Sequence, residues 1–232
     1  MTRALIAGLV VALTAAVSAQ TPAVTIFKAR AEAVARIDAS RKNLTDPETR
    51  AEMALHWAEA MERAAAAIPF GRRQEKTEPY VSWIQANRKY IVYDESGGRW
   101  MLGRDTILNL HRMYPAMNAA DDIAWLLVTV GLGGECEGYL PCYVEWRNLT
   151  YGEYLRLHPK GRHADDAMDV LRNWIDSVLR EGMPNKSMFD PATDCSALKR
   201  SVSTLRADIA RAGAYQHQDI ERGLDEVAGW CR

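Results

Sequence analysis

The sequence predicts a mainly α-helical fold of antiparallel helical hairpins, with one short β-hairpin near residues 89–103. Three observations predict it. Apolar residues recur every three or four positions along most of the chain, which is the spacing of one helix face. Two β-prone runs flank a glycine-containing turn, and a helix–proline–helix pattern occurs twice. With 232 residues, the chain is long enough to bury a substantial core.

The N-terminal segment has the features of a secretory signal. It begins with Arg3, continues as an uncharged apolar run and ends with the small residues Val17-Ser18-Ala19, which a signal peptidase reads. We therefore predict a cleaved signal peptide over residues 1–19 and a single helical domain over residues 20–232, in the periplasm or secreted. An uncleaved membrane anchor is the alternative, although the run is short for a membrane span. The mature chain is expected to contain no transmembrane segment.

Two helices are expected before residue 71. The second should begin at Thr45, whose hydroxyl is expected to cap it, with Pro47 and Glu48 in its first turn. Pro69-Phe70-Gly71 should end this helix. The two apolar faces consist of Phe27, Ala31, Val34 and Ile37, and of Met53, Trp57, Met61, Ala64 and Ile68.

The next segment predicts the β-hairpin. Residues 71–88 show no clear pattern, but Tyr90–Tyr93 and Arg99–Leu102 are rich in β-forming residues. The turn between them contains Gly97-Gly98, and glycine readily adopts the positive φ of a tight turn. Since an isolated hairpin is only marginally stable in water, this one is expected to pack on helices.

Helices resume after the hairpin. Asp105 is expected to cap the first of them, and a loop is expected from Gly131 to Pro141, followed by a helix over about residues 143–157. The apolar faces of the other helices are formed by Ile107, Leu110 and Tyr114, by Ile123, Leu127 and Val130, and by Ala167, Leu171, Trp174 and Val178.

A short internal repeat lies within these helices. The segment that starts at Tyr114-Pro115 shares Pro, Ala, Asp and Asp with the segment that starts at His158-Pro159, 44 positions later. In both, a helix is expected to end at the proline, and another should begin at Ala-Asp-Asp, where acidic residues favour the positive helix end. The alternative is that the two corners are unrelated and share these residues by chance.

These linkers, Tyr114-Pro115 to Ala120 and His158-Pro159 to Ala167, resemble those of tetratricopeptide-like repeats in exported bacterial proteins. The resemblance covers about residues 105–180 and implies stacked helical hairpins whose concave face binds a protein or peptide. The spacing exceeds the usual repeat length of about 34 residues. Residues 27–70 are expected to supply a third, degenerate helix pair. The block from Tyr93 to Leu171 as a whole is otherwise similar to exported bacterial proteins of unknown function.

The four cysteines suggest two disulfides, because an even number in an exported chain is typical of disulfide bonding. Cys195 and Cys231 lie on the apolar faces of two helices joined by a turn at Ala212-Gly213-Ala214, within a hairpin over residues 190–232. Antiparallel packing would place these two cysteines side by side, which leaves Cys136 to pair with Cys142 across a small loop. A redox-active pair at Cys136 and Cys142 is the alternative.

The charge balance of the chain and the lack of two catalytic motifs argue against several classes of function. The 29 basic residues are matched by 30 acidic ones, whereas a nucleic-acid-binding protein needs a surplus of cations. The sequence contains no His-Glu-x-x-His and no Gly-x-Ser-x-Gly pattern. We therefore expect no catalytic residue, no metal and no cofactor.

The sequence thus favours an exported, non-catalytic helical-repeat module that binds a protein or peptide partner in the cell envelope. Its expected partner-binding residues are Trp100 in the hairpin and Glu135, Glu137 and Tyr139 around the Cys136–Cys142 loop. The alternative is a small periplasmic hydrolase or ligand-binding enzyme with its site near Glu135–Tyr139, since paired carboxylates can divide acid and base roles.

Overall fold

The computed structural model of the protein describes residues 22–185, 187–213 and 217–231. The predicted signal peptide at residues 1–19 and Ala214 of the predicted turn lie outside these ranges. The fold is mainly helical with one two-stranded antiparallel sheet, which confirms the predicted fold class. Within the described ranges, no helix combines the length and apolar character needed to cross a membrane.

The first two helices, α1 (Pro22–Arg41) and α2 (Pro47–Ala65), form an antiparallel pair. A short connection joins them, and the guanidinium of Arg30, in the middle of α1, donates to the carbonyl of Arg63 near the end of α2 at 2.8 Å. Their facing sides are apolar, as the spacing predicts, so this pair forms one wall of the N-terminal core.

The cap of α2 is Asp46 rather than Thr45. Its carboxylate accepts the Thr49 N–H at 2.8 Å and the Thr49 hydroxyl at 2.7 Å, and Pro47 occupies the first helical turn. These bonds lower the pKa of Asp46. The predicted hydroxyl cap was therefore wrong by one residue, because the next side chain is an equally good acceptor and is better placed.

A short 3-10 helix (Arg72–Lys76) and α3 (Tyr80–Asn87) fill the segment that showed no clear sequence pattern. The predicted hairpin follows: β1 (Ile91–Asp94) pairs antiparallel with β2 (Arg99–Leu102). The register is set by Ile91 opposite Leu102 and Asp94 opposite Arg99.

The hairpin packs on α2, as its small size requires. Glu62 of α2 accepts the Leu102 N–H at 2.6 Å and so satisfies a donor at the edge of the sheet. Burial raises the pKa of Glu62, and the bond from Leu102 and the charge of Arg99 offset only part of this rise. Glu62 therefore joins the helical layer to the sheet.

The two predicted corners have the same local structure. The first corner, residues 114–119, joins α4 (Arg104–Met113) to α5 (Ala120–Thr129). The second corner, residues 158–163, leads into α8 (Ala164–Glu181). Three backbone hydrogen bonds, each from an N–H to a carbonyl oxygen, occur at equivalent positions in both corners. In the first corner they run from Met117 to Tyr114, from Ala120 to Met117 and from Ile123 to Ala119. In the second corner they run from Gly161 to His158, from Ala164 to Gly161 and from Ala167 to His163.

Other boundaries differ slightly from the predictions. The cap of α4 is Gly103, and Asp105 lies in its first turn, where its charge still favours the helix end. The helix expected over residues 143–157 begins earlier, as α6 (Leu140–Arg147), and continues into α7 (Glu153–Leu157). A π-helical turn (Asn148–Gly152) joins the two.

The C-terminal helices, α9 (Pro191–Gly213) and α10 (Gln218–Gly229), form the predicted antiparallel hairpin. A disulfide joins Cys195 to Cys231 with a Cα–Cα distance of 5.4 Å, so the start of α9 lies beside the end of α10. The second disulfide joins Cys136 to Cys142. The pairing is the one that the apolar faces predict.

The helices enclose two apolar cores, and α5 contributes to both. Its residues Ile123 and Leu127 belong to the N-terminal core of α1 to α5 and the hairpin. Its Ala124 belongs to the C-terminal core of α6 to α10, while Trp125 packs against that core. Because α5 is shared, the two halves of the molecule are joined by continuous packing.

Candidate functional site

The disulfide loop places three of the four predicted partner-binding residues at the surface. Glu135 and Glu137 are exposed, and Glu137 has a positive φ of 48°. Tyr139 is 37% exposed, and its hydroxyl donates to Asp194 at 3.2 Å. Partial burial and Asp194 raise the pKa of Tyr139. The loop therefore presents two exposed carboxylates and one anchored phenol.

The structure joins this loop to the β-hairpin through Asp94. The Asp94 carboxylate accepts the Gly134 N–H at 2.8 Å. Burial opposes ionisation of Asp94, but hydrogen bonds from the N–H groups of Gly134, Gly97 and Ser96 and from the Ser96 hydroxyl outweigh it and lower its pKa. The contact fixes the loop against the hairpin and leaves Asp94 as a structural group.

Trp100, the fourth expected partner-binding residue, is buried. Only 7% of its surface is accessible, and its indole contacts the Tyr93 ring with centroids 5.4 Å apart. The strand turns this side chain toward the N-terminal core because β2 packs on α2 with almost its whole length buried. Trp100 is therefore a core residue, separate from the exposed carboxylates of the disulfide loop.

A polar cluster links the two corners. The Asp121 carboxylate, in the first turn of α5, accepts hydrogen bonds from the Tyr154 hydroxyl at 2.6 Å and from the backbone N–H of Arg162 at 2.7 Å. The Tyr154 hydroxyl accepts the N–H of His163 at 3.1 Å. Burial and the bond to Asp121 raise the pKa of Tyr154. The phenol therefore stays protonated and donates to the carboxylate.

The carboxylate of Asp122, the next residue in α5, also binds the second corner. Asp122 lies 3.0 Å from the Arg162 guanidinium and 3.0 Å from Nε2 of His163. The His163 ring is stacked on Trp125, with centroids 4.6 Å apart and planes 10° apart. The titratable side chains of this cluster bind one another, so we interpret the cluster as a structural contact between the two corners, which we call the joint.

A histidine pair extends this joint. Nε2 of His111 in α4 lies 2.8 Å from Nε2 of His158 in the second corner, so one ring donates and the other accepts. Burial lowers the pKa of His111, and the charges of His158 and Arg156 lower it further. Burial also lowers the pKa of His158, against the opposing effects of Asp121 and the Ala120 carbonyl. The neutral pair is thus favoured.

A cleft of about 840 Å³ opens between the end of α1, the start of α2, Lys89-Tyr90 and α4. Its floor is aromatic: Trp57 is almost fully buried, and the Tyr90 ring meets it edge to face, with centroids 4.9 Å apart. Met113 on the rim is 60% exposed. The cleft therefore offers apolar contacts in a volume typical of ligand sites.

The rim of the cleft is basic. Four cationic side chains line it, those of Arg41, Lys42, Arg50 and Lys89, against the single carboxylate of Asp38. Arg41 lies 4.6 Å above the centroid of Trp57 and forms an ion pair with Asp38 at 2.8 Å. We refer to this site, an aromatic floor with a basic rim, as the cationic cleft.

Sequence reasoning missed the cationic cleft. Its basic residues come from three separate elements, and no single stretch contains a long run of one charge. The only local signal is the concentration of basic residues around the α1–α2 connection, at Arg41, Lys42 and Arg50. Lys89 and the residues of α4 line the cleft together with that cluster only in the folded chain.

The part of the chain that the structure describes contains no group of three or more His, Cys, Asp or Glu side chains arranged to hold a metal ion. Comparison of the chain with models of known families, with curated proteins and with solved structures finds no match. The geometry of the chain itself is therefore the basis for assigning a function.

Proposed function

We propose that the protein is an exported, non-catalytic module of tetratricopeptide-like helical hairpins that binds a protein or peptide partner in the cell envelope. The cationic cleft is the proposed binding surface. The observation that carries the proposal is the cleft itself, a solvent-accessible depression with a pre-formed aromatic floor between packed helices.

Two features support export and a repeat architecture. The disulfides Cys136–Cys142 and Cys195–Cys231 fit an oxidising compartment such as the periplasm, where disulfides persist. The first and second corners repeat the same hydrogen bonds at equivalent positions, and this supports a duplicated helical unit. Helical repeats commonly use such stacking to form binding surfaces for other chains.

The cleft suits a peptide segment better than the other surfaces predicted from the sequence. The carboxylates of Glu135 and Glu137 are exposed on the disulfide loop, and Trp100 is buried. By contrast, the cleft combines apolar residues such as Leu110 and Met113 with polar groups at its edge. This combination is typical of ligand sites, in which apolar contacts supply affinity and a few polar groups supply orientation.

Site-specific photo-crosslinking in the host's own envelope tests the proposal. The cross-linker replaces Asn109, which is exposed on α4 and lines the cleft, and the matched control replaces Asn173, which is exposed on α8 outside it. We expect one defined adduct from position 109, with the attached peptide identified by mass spectrometry, and no such adduct from position 173. The absence of an adduct at position 109, or identical adducts from both positions, would contradict the proposal.

A further inference from the structure

We infer that the cationic cleft selects an acidic segment of its partner, in which two or more carboxylates flank an apolar side chain. The inference rests on the proposed function and adds the chemistry of the ligand. The basic rim would contact the carboxylates, while the floor of Trp57, Tyr90 and Leu110 would receive the apolar side chain.

The charge of the cleft differs from that of the molecule. The chain as a whole has a net charge of −1, whereas the cleft is lined by four basic side chains and one acidic side chain. Within the described ranges, Lys42, Arg50 and Lys89 form no ion pair. A cleft lined by charges of one sign concentrates its field and attracts ligands of the opposite sign.

The two acidic residues that precede Arg50 at the start of α2 have other partners. The Asp46 carboxylate accepts the N–H and hydroxyl of Thr49 as the cap of α2. Glu48 accepts the backbone N–H of Asn118 at 3.0 Å and so ties α2 to the first corner. These bonds direct both carboxylates to other groups, and among the described residues neither forms an ion pair with the Arg50 guanidinium.

The aromatic floor holds two of the cations in position. The Arg41 guanidinium lies over Trp57 and is fixed from the side by Asp38, and the Lys89 ammonium lies 4.6 Å from the centroid of the Tyr90 ring. Cations placed on aromatic rings lose less freedom when a carboxylate arrives. The arrangement therefore favours carboxylates that approach close to an apolar surface.

The exposed Met113 on the rim indicates that the ligand needs an apolar side chain as well as negative charge. Met113 is 60% exposed at the end of α4, next to the half-buried Tyr114. A flexible thioether beside an aromatic ring adapts to apolar side chains of several shapes. A purely acidic ligand would leave this surface in water, so the preferred segment carries an apolar residue between its acids.

Fluorescence anisotropy with labelled synthetic peptides tests the inference on the mature protein with both disulfides intact. The probe is a short peptide in which Asp and Glu alternate with Leu and Trp. One comparison peptide has Asn and Gln in place of the acids, and another has Ser in place of Leu and Trp. We expect the affinity to fall at least about tenfold for each replacement, and the binding of the first peptide to weaken as salt is added.

A matched pair of variants locates the binding. Lys42→Glu with Arg50→Glu reverses two rim charges, and a Glu in the first turn of α2 remains compatible with the helix. The control, Lys160→Glu with Lys199→Glu, makes the same change in charge at two exposed positions outside the cleft. We expect the first variant to lose at least about tenfold in affinity and the control less than about threefold.

Several results would overturn the inference. The first is equal affinity for the acidic peptide and for the peptide with Asn and Gln. The second is an equal loss of affinity in the cleft variant and the control variant. The third is competition by an oligonucleotide or an anionic lipid vesicle that is as tight as competition by the unlabelled acidic peptide. If the peptides fail but position 109 still captures one defined partner, the inference is wrong and the proposed function stands. If position 109 captures no partner, the proposed function fails independently of the peptide result.

Discussion

At the scale of single residues, the His111–His158 contact makes stability depend on pH. The two rings share one part-buried hydrogen bond between their Nε2 atoms, and this requires at least one neutral ring. Glu153 and Asp121 lie near enough to favour protonation, whereas Arg156 opposes it. Burial is the largest cause in both residues, so the pKa of each lies below the ordinary 6.5.

We therefore predict that acid destabilises the fold in a histidine-dependent way. Because both folded-state pKa values are lowered, the unfolded chain binds more protons, and the stabilisation present above about pH 6.5 is lost as the pH falls through the folded values. Urea unfolding followed between about pH 8 and about pH 5 measures this loss. In His111→Gln, which retains a polar side chain that does not titrate, the dependence should be weaker; an unchanged curve would refute the prediction.

Tyr154 supports a second prediction at this scale. Tyr154 is fully buried, and its hydroxyl donates to the Asp121 carboxylate and accepts the backbone N–H of His163. Tyr154→Phe removes this hydroxyl and leaves both groups without it. The expected loss is about 1–3 kcal/mol of unfolding free energy. Tyr151→Phe is the matched control, because Tyr151 belongs to the same continuous helix and its hydroxyl forms no hydrogen bond within the described ranges. A similar loss in both variants would contradict the role given to the Tyr154 hydroxyl.

At the scale of elements, α8 and α10 approach closely at a glycine. A Cβ atom on Gly223 of α10 would lie 2.3 Å from Cγ2 of Ile175, which is almost fully buried in α8. Gly223→Ala should therefore separate the helices or force Ile175 from its rotamer, at a cost of about 1–3 kcal/mol.

The control for this variant lies on the same helix. Gly229→Ala meets no atom within 4 Å and requires no positive φ, so it should be neutral or slightly stabilising. Thermal unfolding of the two alanine variants separates the effect of helix packing from the general effect of replacing glycine. Equal melting temperatures would show that α10 does not pack closely on α8.

The elements also show how far the sequence predicts the fold. The long helices and the two corners follow from apolar spacing and proline position, since these patterns extend over many residues. The cap at Asp46 and the extension of α6 to Leu140 were misassigned because neighbouring residues could serve equally well. Trp100 was misassigned because burial on β2 depends on which element covers the strand.

At the scale of the whole molecule, the disulfides close loops of different length. Cys195 and Cys231 are 36 positions apart, whereas Cys136 and Cys142 are 6 apart. Replacing the first pair with serine should cost about 4 kcal/mol and replacing the second about 2 kcal/mol, because a longer closed loop restricts the unfolded chain more. Urea unfolding of the two double variants tests the order. The reverse order would show that chain entropy is not the main effect.

The cationic cleft belongs to this scale as well, which is why the sequence did not reveal it. Periodicity predicts which face of α1, α2 or α4 is buried, but not which helices lie side by side. The cleft exists because Arg41, Arg50 and Lys89 meet only in the packed molecule. The exposed carboxylates Glu135 and Glu137 were found from the sequence because they lie in one short loop.

The joint between the corners also links two helices. Asp121 at the start of α5 binds the backbone of the second corner, so the start of one helix is fastened to the linker that precedes α8. The side of α8 is covered in turn by α10, as that of α5 is covered by α7. Ile175 of α8 is almost fully buried and faces Gly223 of α10. A chain cut before α10 would therefore expose apolar surface of α8 to water, so the disulfide-closed C-terminal hairpin shields the interior of the molecule as well as closing a loop.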